Sequence, residues 1–294
     1  MKNQGTVVAF GGGGMKAVFG AGLAYELERA NVQPHLAATV GSSAGALNAV
    51  SLLTGNTREG LQTFLDFVGT KSVNEDNVLP FLRGHVSSRM LGHPHKPEKH
   101  IMDVHGVLKV AHQRGLDLDA LRKQAVDCFV RVTRYRTGRS ELVDMRTHPD
   151  PEQMLRATIL FRPYCVDSSH GDPMDGAIAD PVGTGDLVRR FPEQKIVAVV
   201  NDPHADALSL KTRISSVLCG LLSMDWRLLR TYFNRPHGMR SVFALAEKLR
   251  GRVLAVCPPP DYPVGLLTRD PAAVRTGYEQ GRRSAEGVLK FIGA

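Results

Sequence analysis

The strongest candidate for a covalent nucleophile is a serine at the centre of a turn bounded by two glycines. Residues 41–45 read Gly-Ser-Ser-Ala-Gly, which fits the pattern Gly-x-Ser-x-Gly with Ser43 at its centre. A nucleophile on a sharp strand-to-helix turn has a strained backbone, so the residues two before and two after it must be small. Gly41 and Gly45 meet that requirement. An ordinary turn in which a serine caps a helix is the alternative interpretation.

A run of four glycines, residues 11–14, is the second feature, because backbone N–H groups can converge there on an anion. The anion could be a phosphate or the oxyanion of an acyl-transfer intermediate. A P-loop would need Gly-Lys-Ser/Thr, but Lys16 stands between Met15 and Ala17. A dinucleotide-binding loop would need an acidic residue about 20 positions further on. Residues 36–41 contain none, so the sequence favours an oxyanion-binding loop.

Asp175, in the segment Met-Asp-Gly-Ala at 174–177, is the candidate for the base that a serine nucleophile needs. The ordinary pKa of an aspartate is about 3.9, so it can serve as a base only where burial raises that value. Asp-Gly is also a common turn, which is the alternative interpretation. A conventional triad would use a histidine, for which His170 and His204 are the available candidates.

The elements around these motifs alternate in the manner of a parallel sheet with helices on its faces. Hydrophobic patterning predicts strands at 6–10, 37–40, 126–133, 140–145 and 195–200. It predicts helices at 16–30, 44–54, 149–159, 213–233 and 240–250. The glycine run follows the first of these strands, and the serine turn follows the second. The sequence therefore predicts an α/β protein with its chemistry at the ends of parallel strands.

The composition excludes several classes of protein. The chain has 294 residues, of which 43% are hydrophobic and 22% charged, as in globular proteins. Neither an 18-residue apolar run nor a signal-peptide core is present, so we expect a cytoplasmic protein. The four cysteines lie far apart, which favours buried thiols over disulfides or a zinc site.

A histidine-rich stretch at 85–112 raises the question of a metal site. Four of its histidines have loose ligand-like spacing: His93, His95, His100 and His105. Pro94 and Pro97 argue against a preformed helical ligand pair, and no His-Glu-x-x-His motif occurs. We therefore predict no metal and interpret the stretch as a mobile surface loop.

The positive charge lies entirely in the C-terminal part of the chain. Residues 1–210 carry 23 basic and 23 acidic side chains, whereas residues 211–294 carry 14 basic and 6 acidic ones. Such a surface could meet anionic lipid, although a solvated helical surface has the same composition. Nucleic acid is disfavoured, because aromatic residues are scarce there and no nucleic-acid motif appears. We divide the chain into a catalytic part at 1–206 and a basic, mainly helical segment at 207–294 that packs on it.

In this order and at these spacings, the three motifs resemble the patatin-like phospholipase family. That family has a Gly-rich oxyanion loop, a Gly-x-Ser-x-Gly turn and an Asp-Gly-Gly or Asp-Gly-Ala aspartate, and it uses a Ser–Asp dyad without a histidine. The similarity extends from about Thr6 to about Asp206. Residues 156–164 and 175–181 also resemble the family's Ala-Ser-x-Ala-x-Pro and Asp-Gly-Gly-x-x-Asp/Asn-x-Pro segments.

The resemblance implies a three-layer α/β/α sandwich with a mostly parallel central sheet, a variant of the α/β-hydrolase fold. It also implies a serine acyl hydrolase that cleaves acyl esters of phospholipids and other lipids through an acyl-serine intermediate, without a cofactor. The expected partners are a lipid or acyl-ester substrate and, by peripheral contact, an anionic membrane. The alternatives are an inactive lipid-binding or scaffold protein on the same fold and, from another class, a nucleotide-binding protein.

The resemblance also assigns roles to individual residues. They are the nucleophile Ser43, the base Asp175, the oxyanion donors Gly12, Gly13 and Gly14, and Lys16, which would hold the loop or meet a lipid phosphate. Two departures from the family pattern matter. The glycine run is one residue longer than usual, which leaves open which N–H groups form the oxyanion hole. Ala17 stands where glycine is commoner, a mild change that removes no chemical group.

Overall fold

The computed structural model describes residues 5–70, 101–161, 165, 172–204 and 226–294. Seven strands lie within these ranges: β1 (Thr6–Phe10), β2 (Leu36–Ser42), β3 (Asp127–Thr133), β4 (Ser140–Asp144), β5 (Met174–Asp175), β6 (Lys195–Val199) and β7 (Val253–Val256). Ten α-helices lie within them: α1 (Val18–Arg29), α2 (Ala44–Thr54), α3 (Gly60–Gly69), α4 (Val104–Gln113), α5 (Leu118–Arg122), α6 (Pro151–Ile159), α7 (Thr184–Arg190), α8 (Trp226–Lys248), α9 (Pro271–Arg283) and α10 (Ala285–Ile292).

All seven strands belong to one sheet. Its order is β4-β3-β2-β1-β6-β7, and β5 pairs with the end of β3. Strands β1, β2, β3, β6 and β7 run parallel, whereas β4 and β5 are antiparallel to β3. The prediction of a mostly parallel sheet is therefore confirmed.

Helices cover both faces of the sheet, as the side chains of β1 show. Val8 and Phe10 lie in one core, which includes residues of α1, α2, α6 and α9. Val7 and Ala9 point the other way, into a second core with residues of α7 and α8. Because successive side chains of a strand face opposite sides, each face has its own hydrophobic core. The predicted three layers follow from this arrangement.

The C-terminal residues contribute to both the sheet and a helical layer. Strand β7 extends the sheet beyond β6, and α9 crosses α1 at very close range. A Cβ atom at Gly22 would lie 2.0 Å from the carbonyl oxygen of Tyr278, and one at Gly281 would lie 2.0 Å from that of Phe19. The two helix backbones can approach this closely because glycine stands at both crossing points.

Two sequence predictions differ from the structure. The sequence pattern predicts two separate helices, at 213–233 and 240–250. Instead α8 runs without interruption from Trp226 to Lys248, and its buried face continues through the predicted gap, with Tyr232 and Met239 both buried. The surface-loop prediction is wrong for the end of the histidine-rich stretch, where the apolar face of α4 is buried.

The residues considered for metal or disulfide chemistry are only partly described. Cys128 and Cys257 are free thiols, and burial raises the pKa of the Cys128 thiol to about 12. The thiol of Cys165 is buried and donates a hydrogen bond to the carbonyl oxygen of Met102. Cys219 lies outside the described residues. His93, His95 and His100 lie outside them as well, as does most of the helix predicted at 213–233.

Candidate active site

Ser43 stands between the end of β2 and the start of α2. Its backbone angles are φ 53° and ψ −134°, a combination that costs a residue with a side chain about 1–3 kcal/mol. The chain closes tightly around it. A Cβ atom at Gly41 would lie 2.3 Å from Ala46 Cα, and one at Gly45 would lie 2.4 Å from the carbonyl oxygen of Gly11. Glycine is therefore the residue that fits at both positions, and the strained turn fixes where the serine side chain starts.

Asp175 lies at the same end of the sheet because β5, the strand that contains it, pairs with β3. Along one edge of β3, Ser42 pairs with Arg131, and the next residue, Val132, pairs with Asp175. Strand β4 occupies the opposite edge. The end of β2 and the start of the aspartate turn, defined as residues 175–177, therefore abut each other on β3, which brings Ser43 and Asp175 together. The side chain of Asp175 is buried, with the residue 1% exposed.

The glycine loop, defined as residues 11–14, packs against both turns. A Cβ atom at Gly12 would lie 3.1 Å from Ser43 Cβ and 2.7 Å from Ala177 Cβ. The backbone N–H of Ala177 donates a 2.7 Å hydrogen bond to Asp175 Oδ1. The three motifs identified in the sequence thus meet at one place, at the carboxyl ends of β1 and β2.

The N–H groups of the glycine loop differ in what they bond. That of Gly11 donates to β6 at 2.9 Å, and that of Gly12 donates to the carbonyl oxygen of Pro181 at 3.2 Å. Within the described ranges, the N–H groups of Gly13 and Gly14 donate to no acceptor. Both residues have positive φ, 156° and 54°, where side chains are disfavoured. The expectation that Gly12 supplies an oxyanion donor conflicts with this geometry, because the Pro181 carbonyl already occupies its N–H.

Two residues that follow β6, Asn201 and Asp202, hold the glycine loop from the sheet side. Asn201 Nδ2 donates a 2.6 Å hydrogen bond to the carbonyl oxygen of Gly11. The ammonium group of Lys16 forms an ion pair with Asp202. Asn201 belongs to none of the three sequence motifs. Its signal is a polar pair directly after a buried parallel strand, the position at which such sheets carry functional groups.

Thr158, in α6, connects the serine turn to β3. The backbone N–H of Ser43 donates to Thr158 Oγ1 at 3.0 Å, and that hydroxyl donates to the carbonyl oxygen of Arg131 at 2.6 Å. The hydroxyl accepts one hydrogen bond and donates another, and the residue is fully buried. Thr158 therefore ties the strained serine to the same strand that carries Asp175.

A buried arginine supports the segment that follows the aspartate turn. The guanidinium of Arg131 is inaccessible to solvent and forms a 3.0 Å ion pair with Asp186. It also donates to the carbonyl oxygen of Gly183 at 3.3 Å. Burial raises the pKa of the neighbouring Asp180, and the charge of Arg131 and the N–H groups of residues 182 and 183 partly oppose that rise. Arg131 belongs to no motif in the sequence, whereas Thr158 lies in the segment 156–164, whose resemblance to the family assigned no role to the threonine.

Replacing Thr158 with valine is expected to lower the rate of ester hydrolysis about 10- to 100-fold, because a small misplacement of a nucleophile can cost that much. Valine keeps the shape but leaves the Ser43 N–H without its acceptor, so we also expect a loss of about 1–3 kcal/mol in the free energy of unfolding. Hydrolysis assays and thermal unfolding measure the two effects. Thr158→Ser keeps the hydroxyl and should stay close to wild type. Wild-type hydrolysis and stability in Thr158→Val would show that the hydroxyl does not hold the serine turn.

The family model described as patatin-like phospholipase matches residues 8–188, which is more than half of the sequence. No curated protein matches the chain at a significant level of sequence similarity. Among solved structures, the crystal structure of VipD from Legionella pneumophila is similar with a TM-score of 0.48 and 13% identity, over 99% of this chain and 67% of that one.

Proposed function

Because the chain belongs to the patatin-like phospholipase family, a family of lipid acyl hydrolases, we propose that it hydrolyses acyl esters of lipids through an acyl-serine intermediate. Ser43 is the nucleophile in this proposal, and Asp175 is its base. The observation that carries it is the convergence of the strained serine turn, the buried aspartate and the glycine loop. They meet at the carboxyl ends of parallel strands, where open α/β sheets bind their ligands.

The proposed reaction has two half-reactions. In the first, the carboxylate of Asp175 takes the hydroxyl proton of Ser43 while Oγ attacks the carbonyl carbon of the ester. The tetrahedral intermediate then breaks its bond to the alcohol, which leaves with the proton from Asp175. In the second, Asp175 takes a proton from water as the water oxygen attacks the acyl carbon. The carboxylic acid leaves, and the serine hydroxyl regains its proton.

The oxyanion of each intermediate needs donors that are already in place. We assign this role to the N–H groups of Gly13 and Gly14, which donate to no acceptor within the described ranges. Gly12 lets the glycine loop lie close to the serine and aspartate turns, because any side chain there would collide with Ala177 and crowd Ser43. Helix α2 starts directly after Ser43, so the positive end of its dipole faces the same charge.

The alternatives predict other features. An inactive scaffold on this fold would not need the nucleophile, the buried carboxylate and the glycine loop together, yet all three are present. A nucleotide-binding protein would be expected to carry an acidic residue at the end of β2. The serine turn stands there instead. Both observations favour the hydrolase.

A hydrolysis screen tests the proposal. Purified protein is incubated with phospholipid, lysophospholipid, neutral glyceride and nitrophenyl esters of increasing acyl length, and the released acid or phenol is measured. We expect turnover of at least one lipid ester by the wild-type protein and by Ser42→Ala, and none by Ser43→Ala. Loss of turnover in the Ser42 variant alone would contradict the assignment of the nucleophile.

We also propose that the exposed face of α8 meets an anionic membrane. Phe233 is 48% exposed and is the single exposed large hydrophobic side chain in the described part of the chain. Exposed basic side chains lie one or two helical turns away on the same face, at Arg230, His237 and Arg240. The adjacent Tyr232 is buried and packs in a small cluster with the residues that flank the aspartate turn. The same helix therefore connects this surface to the catalytic end of the sheet.

Binding through this surface is expected to be weak and reversible. Each basic residue near an anionic bilayer contributes about 1 kcal/mol, and salt screens that attraction. None of the helices in the described ranges is both long and apolar enough to cross a bilayer. The surface would therefore rest on the membrane through charge and one aromatic side chain.

Co-sedimentation with vesicles at low and at physiological ionic strength tests this surface. We expect more binding to anionic than to neutral vesicles, with a preference that fades as salt rises. A variant with Phe233→Ala, Arg230→Gln and Arg240→Gln should lose most of that preference. Arg58→Gln with Lys123→Gln removes two exposed charges from the opposite helical layer and is the control. Equal loss in both variants, or equal binding to both kinds of vesicle, would contradict the assignment.

A further inference from the structure

The segment between β7 and α9, residues 257–270, passes beside the glycine loop, and we call it the C-terminal arm. It lies well beyond residue 188, where the family match ends. Tyr262 Oη donates a 2.6 Å hydrogen bond to the carbonyl oxygen of Lys16. The carbonyl oxygen of Leu266 accepts a 3.0 Å hydrogen bond from the N–H of Met15. Both contacts fall on the two residues that directly follow the glycine loop.

We propose that the C-terminal arm is a positioning segment of the catalytic site, which holds the N–H groups of Gly13 and Gly14 where the oxyanion forms. Tyr262 and Leu266 are its positioning residues. The inference rests on the proposed acyl hydrolase function. It assigns a catalytic purpose to a part of the chain that carries none of the three motifs.

Four consecutive glycines make the need for such a support clear. Glycine has more backbone freedom than any other residue, so a glycine run does not fix its own N–H groups in space. Hydrogen bonds to β6 and to Pro181 hold the first half of the loop through the N–H groups of Gly11 and Gly12. The second half carries the N–H groups that have no acceptor in the described ranges, and contacts from outside the loop must hold it.

The arm makes those contacts at the end of the loop. A Cβ atom at Gly14 would lie 2.7 Å from the carbonyl oxygen of Leu266 and 3.0 Å from its Cδ1 atom. Leu266 therefore lies directly against Gly14, so the left-handed conformation at Gly14 and the close approach of the arm both require glycine. Together with the ion pair of Lys16 and Asp202, these contacts restrain the second half of the loop from two sides.

The arm is itself anchored at both ends. Strand β7 precedes it within the sheet, and α9 follows it against α1. In between, the ring of Tyr262 packs edge-on against Phe19 with ring centroids 6.1 Å apart. Val264 is buried against Gly277 of α9, where a Cβ atom would lie 2.7 Å from it. A segment held this way can act as a rigid brace for the loop.

The phenol of Tyr262 is well suited to this role. Burial raises its pKa, so the hydroxyl stays protonated and remains a donor at neutral pH. Tyr278 offers a matched comparison in the same interface between α1 and α9. Its ring is buried too, but its hydroxyl makes no hydrogen bond within the described ranges. Replacing either tyrosine with phenylalanine removes one oxygen, and only Tyr262 touches the residues after the glycine loop.

The test compares Tyr262→Phe with Tyr278→Phe in the full-length protein. One measurement is amide hydrogen exchange of residues 11–17, which reports on loop mobility whether or not the protein is active. The other is steady-state hydrolysis of an ester that the wild-type protein cleaves, together with the rate of Ser43 labelling by a fluorophosphonate. We expect Tyr262→Phe to exchange faster in residues 11–17 and to lose about tenfold in kcat and in labelling rate, with KM unchanged within about twofold. Tyr278→Phe should match the wild type in all of these.

Leu266→Ala is the second variant, because it keeps the backbone acceptor but removes the side chain that covers Gly14. A smaller loss of kcat than that of Tyr262→Phe, again at constant KM, supports the arm. Wild-type kcat and wild-type exchange in Tyr262→Phe would overturn its role while leaving the hydrolase intact. A folded wild-type protein that neither hydrolyses esters nor labels at Ser43 would overturn the proposed function, and with it the catalytic purpose of the arm.

Discussion

Replacing Ser43 with alanine is expected to abolish ester hydrolysis, with a loss of several orders of magnitude in kcat and little change in fold. Without the hydroxyl no acyl-enzyme can form. The remaining groups of the site could then support only slow, direct attack of water on the ester. Alanine adopts φ 53° no more easily than serine does, so the strain of the turn is carried over rather than relieved. Steady-state kinetics and thermal unfolding measure the two properties separately.

The control for this variant is Ser42→Ala, which changes the neighbouring buried serine on β2. That variant should keep most of the activity. Should Ser43→Ala retain more than a few per cent of wild-type turnover, the nucleophile would have to be sought elsewhere, first at Ser42.

Replacing Asp175 with asparagine is expected to be as severe as removing the serine. Asparagine keeps the size of the side chain and can still accept the hydrogen bond from the Ala177 N–H, so the aspartate turn should persist. It cannot take the hydroxyl proton of Ser43. Because the two residues act as one unit, the double variant should be no slower than either single variant. A double variant that is clearly slower would show two independent contributions.

Two precautions sharpen this experiment. An Asn-Gly sequence deamidates readily to aspartate, so the mass of the purified Asp175→Asn protein is checked before each assay. His204, which lies shortly after β6, is replaced in parallel, because it is a described candidate for a conventional triad. The histidine variant should keep much of the activity. A histidine variant as inactive as Ser43→Ala would point to a triad instead of a dyad.

The elements that position the site were largely predictable from local patterns. Strands β1 and β2 are short runs of apolar and β-branched residues, and both are buried along nearly their whole length. Helix α2 ends at Thr54, as predicted, and the glycine that follows, Gly55, adopts the left-handed conformation with φ 74° that commonly ends a helix. In these stretches the local preference and the tertiary environment agree, so the sequence alone identifies the element.

Very short strands could not be predicted from the sequence pattern. Strand β5 has two residues, which is too few for any periodicity to appear. It exists because Asp175 and Met174 pair with the end of β3, where β2 has already stopped. The register on β3, which no local pattern encodes, is what brings the aspartate beside the serine turn.

Residues that hold a motif from a distant part of the chain could not be predicted from local patterns either. Thr158, Asn201 and Tyr262 each hold a motif residue through one or two hydrogen bonds made between distant parts of the chain. Threonine, asparagine and tyrosine are common in ordinary structure, so their types carry no signal. The oxyanion donors could not be predicted for the same reason. The N–H group of Gly12 is occupied by a hydrogen bond to the carbonyl oxygen of Pro181, which is distant in the sequence.

The most direct test of the central claim is covalent labelling of the folded wild-type protein with a fluorophosphonate, followed by intact-mass measurement and peptide mapping. The Ser–Asp account predicts a single adduct, located on Ser43, that forms far more slowly in Asp175→Asn and not at all in Ser43→Ala. An adduct on another residue, labelling of Asp175→Asn at the wild-type rate, or no labelling of the folded wild-type protein would contradict it.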